Sequence, residues 1–164
     1  MLKKSEGRTF IHYGCKEFDK SKFNPITNER LGGLGKPFGG LWACDIHTQY
    51  GWKEYCRDNE MYPADSPRIT QSFCFQLKED ARILHLETPD DFEFLPIKLS
   101  EFKEERRHNR YMSDRDRFRY VNWEAVRDIG IDAVEYIRTP YGHNIFYTWD
   151  FDSLLVLNPE AVVC

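Results

Sequence analysis

The chain has 164 residues, of which 41% are hydrophobic and 30% are charged, and its formal net charge is -4. These values predict one globular domain over residues 1–164 and exclude an intrinsically disordered chain. The small negative charge gives no general attraction to nucleic acid or to an anionic membrane. Neither a membrane-spanning apolar run nor the apolar core of a signal peptide is present, so we expect a cytoplasmic protein with no membrane partner.

The first half of the chain predicts two strands, a long loop and one helix. Residues 8–13 (R-T-F-I-H-Y) and residues 40–44 (G-L-W-A-C) are rich in strand-forming side chains. Between them, residues 16–38 hold repeated Pro and Gly turn signals, which predicts a loop with one short helical turn. Residues 48–59 predict a helix with Thr48 as its N-cap, because aromatic and thiol side chains recur there at helical spacing.

The middle of the chain predicts two strands and a charged segment. Residues 72–77 and 82–86 have strand composition, and the four residues between them fit either a hairpin or another short connection. Residues 101–119 carry seven Lys or Arg against five Asp or Glu. A solvated helix or loop explains this segment better than a surface for an acidic partner, because opposite charges alternate along it.

The last third predicts a helix and two or three strands. Asn122 is placed to cap a short helix over residues 123–128, and residues 131–137 (I-D-A-V-E-Y-I) predict a strand. Residues 144–159 predict one or two further strands. Many short strands with two or three small helices indicate an α+β fold with largely antiparallel pairing.

The cysteines and histidines give no metal-binding pattern. The five cysteines are far apart and include no C-x-x-C pair; they are Cys15, Cys44, Cys56, Cys74 and Cys164. The five histidines show no H-x-x-x-H spacing. We therefore expect no metal cofactor, no disulfide framework and no structural zinc, and we interpret most of the thiols as small buried apolar groups.

An acidic residue stands in the middle of an apolar predicted strand. Strand alternation puts Glu135 on the same face as Ala133, and burying a carboxylate there requires partners or a cleft. An edge strand with a wet face would also accommodate it. Two further acids, Asp150 and Asp152, enter another predicted strand in W-D-F-D-S-L-L-V and are either turn residues or alternative catalytic acids.

Aromatic side chains make up 15% of the chain, and two Trp and two Tyr lie within residues 39–56, G-G-L-W-A-C-D-I-H-T-Q-Y-G-W-K-E-Y-C. An aromatic core explains most of them. The same rings could also form the wall of a pocket for a flat ligand, with Gly39 and Gly40 letting the strand run close to it.

Three segments resemble, in order, the ADP-ribosyltransferases of the diphtheria toxin and poly-ADP-ribose polymerase type. F-I-H-Y-G is similar to the first motif, G-G-L-W-A-C-D with Y-G-W-K-E-Y-C to the second, and A-V-E-Y-I to the third. The resemblance implies an ADP-ribosyltransferase-like fold of split antiparallel β-sheets with a few short helices. It also implies NAD as substrate and no metal.

The resemblance assigns roles on the first two strands. His12 would bond the adenosine-side ribose of NAD, and the backbone near Tyr13 and Gly14 would pair with the nicotinamide amide. Trp42 stands where the family has a Tyr, so it offers a stacking face without a hydroxyl. Tyr13 is a further departure, because the family's His is usually followed directly by Gly.

The remaining roles fall on the helix and the late strand. Trp52 or Tyr55 would sandwich the nicotinamide ring, and the spacing leaves both open. Glu135 would stabilise the oxocarbenium-like transition state as nicotinamide leaves. Ala133 stands where arginine-modifying relatives carry a second acid, which argues against arginine as the modified residue.

The implied function is mono-ADP-ribosylation of a macromolecule, with protein favoured over nucleic acid, by a toxin or phage effector. One alternative is an NAD-binding or partner-binding module with a degenerate site. The other is an NAD glycohydrolase, in which water replaces the acceptor.

Overall fold

The computed structural model describes residues 2–30, 36–112, 114–138 and 149–164. The strands are β1 Leu2–Lys3, β2 Thr9–Tyr13, β3 Thr27–Arg30, β4 Pro37–Phe38, β5 Leu41–Asp45, β6 Ser72–Leu77, β7 Ile83–Leu86, β8 Ala133–Tyr136, β9 Ser153–Val156 and β10 Val162–Val163. The α-helices are α1 Trp52–Asp58, α2 Pro67–Thr70, α3 Leu99–His108 and α4 Trp123–Asp128. Short 3-10 helices occupy Lys20–Lys22, Pro89–Phe92, Asp114–Tyr120 and Pro159–Ala161. The predicted α+β class is confirmed.

Eight strands form one continuous sheet in the order β1-β7-β8-β9-β5-β2-β6-β10, and β3 pairs with β4 in a separate two-stranded sheet. The β7–β8 ladder is parallel, and the other ladders of the described strands are antiparallel. The large sheet consists of two halves, β1-β7-β8-β9-β5 and β2-β6-β10. Only two residue pairs join them in register, Phe10 with Asp45 and Ile11 with Cys44.

The large sheet curls around a hydrophobic core. Ile83 of β7 and Val162 of β10 lie near opposite ends of the strand order, yet Ile83 is buried in one cluster with Phe10, Phe75 and Leu154, and the partly buried Val162 packs against that cluster. Burying each such side chain contributes about 2 kcal/mol. The two halves are therefore held together mainly by this shared core rather than by their short ladder.

A second core covers the opposite face of the first half. Alternation along β8 places Ala133 in the core inside the curl and Val134 in the second core. Helix α4 closes the second core with Trp123 and Val126. Asn122 caps this helix as predicted, since its side chain accepts a hydrogen bond from the backbone N–H of Ala125.

The structure decides two alternatives that the sequence left open and overturns one prediction of a helix cap. Strands β6 and β7 do not form a hairpin: β6 pairs with β2 and β10, whereas β7 pairs with β1 and β8. Gly51, not Thr48, is the N-cap of α1. Strand β8 lies between β7 and β9 and is not an edge strand. Of the predicted strands over residues 144–159, the part before Trp149 lies outside the described residues.

All five cysteines are free thiols, but only two of them are buried, Cys44 and Cys56. The expectation that most are buried is therefore wrong, because Cys74 and Cys164 are exposed and Cys15 is partly exposed. In the described part of the chain, no helix has both the length and the apolar character needed to cross a membrane.

Candidate active site

Strands β2 and β5 separate just beyond their two-pair ladder, and we call this opening the β2–β5 gap. Ile46 N–H donates to Thr9 O at 3.1 Å, and Ile11 pairs with Cys44. Continuing this register would pair His12 with Ala43 and Tyr13 with Trp42, but the ladder ends at Ile11 and Cys44. The sequence predicted both strands but not where they part.

His12 occupies the β2–β5 gap. Its Nδ1 lies 2.6 Å from the backbone oxygen of Trp42, and its ring packs at 5.2 Å from the ring of Phe73. Burial lowers the pKa of His12 below its ordinary value of 6.5, and the bond to Trp42 opposes the shift only in part. Because a carbonyl only accepts, Nδ1 carries the proton of the neutral ring and Nε2 remains an acceptor.

The backbone of Tyr13 also faces the gap. Successive residues of an antiparallel strand direct their N–H and C=O groups to alternate neighbours. Gly14 N–H donates to Gln71 O at 2.9 Å, on the β6 side, so the groups of Tyr13 point toward β5. The backbone groups of Tyr13 are therefore directed toward the gap, whereas the Gly14 N–H is already bonded.

Aromatic rings from three segments lie near one another: Trp42 from β5, Trp52 and Tyr55 from α1, and Phe151 from the segment before β9. The centroid of Phe151 lies 5.3 Å from that of Tyr55 and 5.5 Å from that of Trp52. The Lys36 ammonium lies 5.4 Å from the centroids of both Trp42 and Phe151. These contacts join the rings into one wall.

The geometry separates the two α1 aromatics. The Trp52 indole N–H donates to Arg68 O at 3.0 Å, and the Trp52 ring also packs at 6.1 Å from Tyr62, which places it between α1 and α2. The Tyr55 hydroxyl instead lies 3.4 Å from Asp150 Oδ2. Burial, with a contribution from Asp150, raises the pKa of Tyr55 above its ordinary value of 10.0. Of the two rings, Tyr55 is the one that meets a carboxylate.

The two acids before β9 have different surroundings. Asp152 accepts from the Arg138 backbone N–H at one oxygen and from the Thr48 hydroxyl at the other, both at 2.7 Å. Its carboxylate is therefore committed to holding the ends of β8 and β9 and the loop before α1 together. Asp150 has the longer bond from Tyr55, and its charge acts on the ammonium of Lys36.

Glu135 is 2% exposed and lies on the face of β8 that meets the core inside the curl. Arg8 donates to both carboxylate oxygens, at 2.6 and 3.1 Å, and His85 Nδ1 lies 2.8 Å from Oε2. Burial would raise the pKa of this carboxyl, but the bonds from His85 and Arg8 lower it to about 2. Both oxygens are thus engaged by protein groups, which suits a structural ion pair better than contact with a substrate.

In the strand order Glu135 is separated from β2, but the curl brings its carboxylate to Arg8, which directly precedes β2. Glu135 pairs with Leu154 of β9, and Leu154 pairs with Ala43 of β5, so two strands lie between β8 and β2. His12 bonds the backbone of Trp42, and the Trp42 ring is linked to Tyr55 through Lys36 and Phe151. The hydrogen bonds of the Glu135 carboxylate go instead to Arg8 and His85.

Sequence reasoning did not select Arg8, His85, Lys36 or Phe151. A buried carboxylate requires a cationic partner, which is a usable signal, but Arg8 is 127 residues from Glu135. Nothing local in the sequence identifies it. Gly39 and Gly40 were predicted to let the strand run close to a ligand. A Cβ on Gly40 would instead lie 2.5 Å from Leu155 Cδ1, so the close neighbour is protein rather than ligand.

Comparisons with protein-family models, curated proteins and solved structures find no match for this chain. Among the residues that the structure describes, no group of His, Cys, Asp and Glu side chains could hold a metal ion.

Proposed function

We propose that this protein is an NAD-dependent ADP-ribosyltransferase that cleaves the bond between nicotinamide and ribose and transfers ADP-ribose to a macromolecule, with protein as the favoured acceptor. The observations that carry the proposal meet at Trp42: its backbone oxygen is bonded by His12 at the β2–β5 gap, and its ring belongs to an aromatic wall that adjoins the Asp150 carboxylate.

The gap and the aromatic wall together offer groups for the adenosine-side ribose and for the nicotinamide of NAD. His12 Nε2 accepts a hydrogen bond from a ribose hydroxyl, since Nδ1 already donates to Trp42. The backbone N–H and C=O of Tyr13 match the C=O and NH₂ of the nicotinamide amide. Trp42, Tyr55 and Phe151 supply faces on which the nicotinamide ring stacks.

We assign the catalytic carboxylate to Asp150 rather than to Glu135. When the C1′–N1 bond breaks, its electron pair stays on nitrogen and positive charge develops on the ribose. Asp150 adjoins the aromatic wall and stabilises that charge, while Glu135 is occupied by Arg8 and His85. The acceptor then attacks C1′ and releases a proton, so no redox partner is needed.

A binding module without turnover is the second candidate, and one observation favours it. Glu135, the carboxylate to which the resemblance assigns catalysis, is engaged by Arg8 and His85. A glycohydrolase would use the same groups with water in place of the acceptor.

The decisive experiment incubates the protein with NAD labelled on the adenylate phosphate, with and without cell lysate. We expect label on a lysate macromolecule that survives denaturation. Free ADP-ribose as the main product would indicate a glycohydrolase, and no release of nicotinamide would overturn the enzyme proposal.

Four variants locate the catalytic acid. Asp150→Asn should lower turnover by about 100-fold or more, as is typical when a group that stabilises transition-state charge is removed. Asp80→Asn is the matched control, because Asp80 is exposed, and it should keep full activity. Glu135→Gln and Asp152→Asn test the other acids. If folded Glu135→Gln lost activity while Asp150→Asn kept it, the assignment to Asp150 would be wrong.

A further inference from the structure

A lysine side chain occupies part of the aromatic wall. Lys36 Nζ lies 5.4 Å from the ring centroid of Trp42 and 5.4 Å from that of Phe151. Both distances are within the range over which a cation is attracted to an aromatic face. We call the two rings and the nearby Asp150 carboxylate the cation cage.

The burial of Lys36 and the charge of Asp150 act on its ammonium group in opposite directions. Burial lowers the pKa of Lys36 below its ordinary value of 10.5, and the charge of Asp150 opposes this shift. The ammonium makes no ion pair or hydrogen bond with a described residue. Burial disfavours the charged lysine, whereas the ring faces and Asp150 favour it, so the lysine can leave the cage when a competing cation enters.

We propose that Lys36 is an internal cation that fills the cation cage in the ligand-free protein, and that a flat ligand carrying a delocalised positive charge displaces it. An N-alkylpyridinium ring fits this description, because it brings the charge that the cage holds and a planar surface that stacks on the rings. The identity of the natural ligand, the nicotinamide ring of NAD, rests on the proposed function. The existence of the cage does not.

The exchange predicts selectivity for charge. A cationic ring replaces the positive charge that leaves with Lys36, so the interactions of the cage with a cation are kept. A neutral ring of the same shape would leave Asp150 and the aromatic faces without a cation. The cage should therefore bind N1-methylnicotinamide better than nicotinamide.

The same exchange would help product release. After the C1′–N1 bond breaks, the electron pair on nitrogen makes nicotinamide neutral. Lys36 then competes successfully for the cage and displaces the product. Lys36 thus competes more effectively with the neutral product than with the cationic substrate.

The test measures binding of N1-methylnicotinamide and of nicotinamide by titration calorimetry. For the unmodified protein, we expect the cation to bind about 10-fold more tightly than the neutral ring, or better. Lys36→Gln and Lys36→Ala should each raise the affinity for the cation by about five-fold or more, because the internal competitor is gone. Circular dichroism checks that both variants are folded.

Lys53→Gln is the matched control, since Lys53 lies on α1 and is exposed. It removes the same charge near the wall without emptying the cage and should leave both affinities unchanged. Equal affinity for the two rings, or weaker cation binding in both folded Lys36 variants, would overturn the inference. Because neither probe can be cleaved to ADP-ribose, binding as expected without NAD turnover would reject the proposed function and keep the cation cage.

Discussion

Glu135 is held by interactions that depend on its charge, and this gives a pH-dependent stability. Its pKa of about 2 lies below its ordinary value of 4.5. The ionised carboxylate therefore stabilises the folded protein fully above about pH 5, and this contribution is lost as the pH falls from about 4.5 toward 2. A shift of this size corresponds to about 3 kcal/mol.

Replacing Glu135 should reveal that contribution. We expect Glu135→Gln to lower the free energy of unfolding at pH 7 by about 3 kcal/mol, because Arg8 loses its carboxylate partner. The difference from the unmodified protein should shrink at pH 3. Urea unfolding at both pH values measures it, with Glu79→Gln at an exposed position as the control. A difference that does not depend on pH would contradict the ion-pair explanation.

For single residues, the sequence indicated which residue type needs a partner but not which residue that partner is. An acid in an apolar strand indicated that Glu135 needs a partner or a cleft, and the structure supplies Arg8 and His85. The same reasoning left Asp150 and Asp152 equivalent. Contacts with Thr48 and Tyr55 separate them, and those contacts join parts of the chain that are about 100 residues apart.

Among the secondary-structure elements, β5 depends on a close approach to β9. Gly40, which directly precedes β5, has φ +70, and a Cβ there would lie 2.5 Å from Leu155 Cδ1 and 2.9 Å from Val156 O. An alanine would therefore have to move a backbone carbonyl as well as a side chain. The approach positions β5, and hence Trp42, at the edge of the gap.

Two alanine substitutions separate this close approach from backbone strain. Gly7 has φ +68, and a Cβ there would have nothing within 4 Å. Gly7→Ala should therefore cost only the left-handed strain, about 1 kcal/mol, whereas Gly40→Ala should cost about 3 kcal/mol or more. Urea unfolding measures both. Equal losses would show that β5 and β9 adjust to the added methyl group.

Element prediction succeeded where the signal is local. The strand composition of F-I-H-Y and G-L-W-A-C and the Asn122 cap each lie within a few residues, and β2, β5 and α4 follow them. The connection between β6 and β7 was ambiguous because four residues fit a hairpin equally well. Pairing with distant strands decides against the hairpin.

For the whole molecule, the curled sheet and its helices determine which thiols are accessible. Cys44 is 4% exposed and Cys56 is 1% exposed, and burial raises the pKa of both thiols. Cys74 and Cys164 are exposed. A thiol reacts only when it is accessible and in the thiolate form. Cys74 and Cys164 should therefore react much faster than Cys44 and Cys56.

Thiol titration with an aromatic disulfide reagent tests this arrangement. In the native protein, we expect Cys74 and Cys164 to react first, and Cys44 and Cys56 to react only as the protein opens. Cys74→Ser and Cys164→Ser should each remove one equivalent from the fast phase. The denatured protein is the control and should give all five thiols at one rate. A native protein with a single rate would contradict the buried positions of Cys44 and Cys56.

The sequence by itself determined the α+β class, most strand and helix positions and the residue types that reach the candidate site. These depend on hydrophobic periodicity, capping and strand composition, which are properties of neighbouring residues. Only the tertiary structure decided that β2 and β5 part beyond Ile11, that Arg8 and His85 engage Glu135, and that Lys36 lies over Trp42 and Phe151. Each of these joins groups far apart in the chain, and such contacts follow from how the strands pair and the cores close.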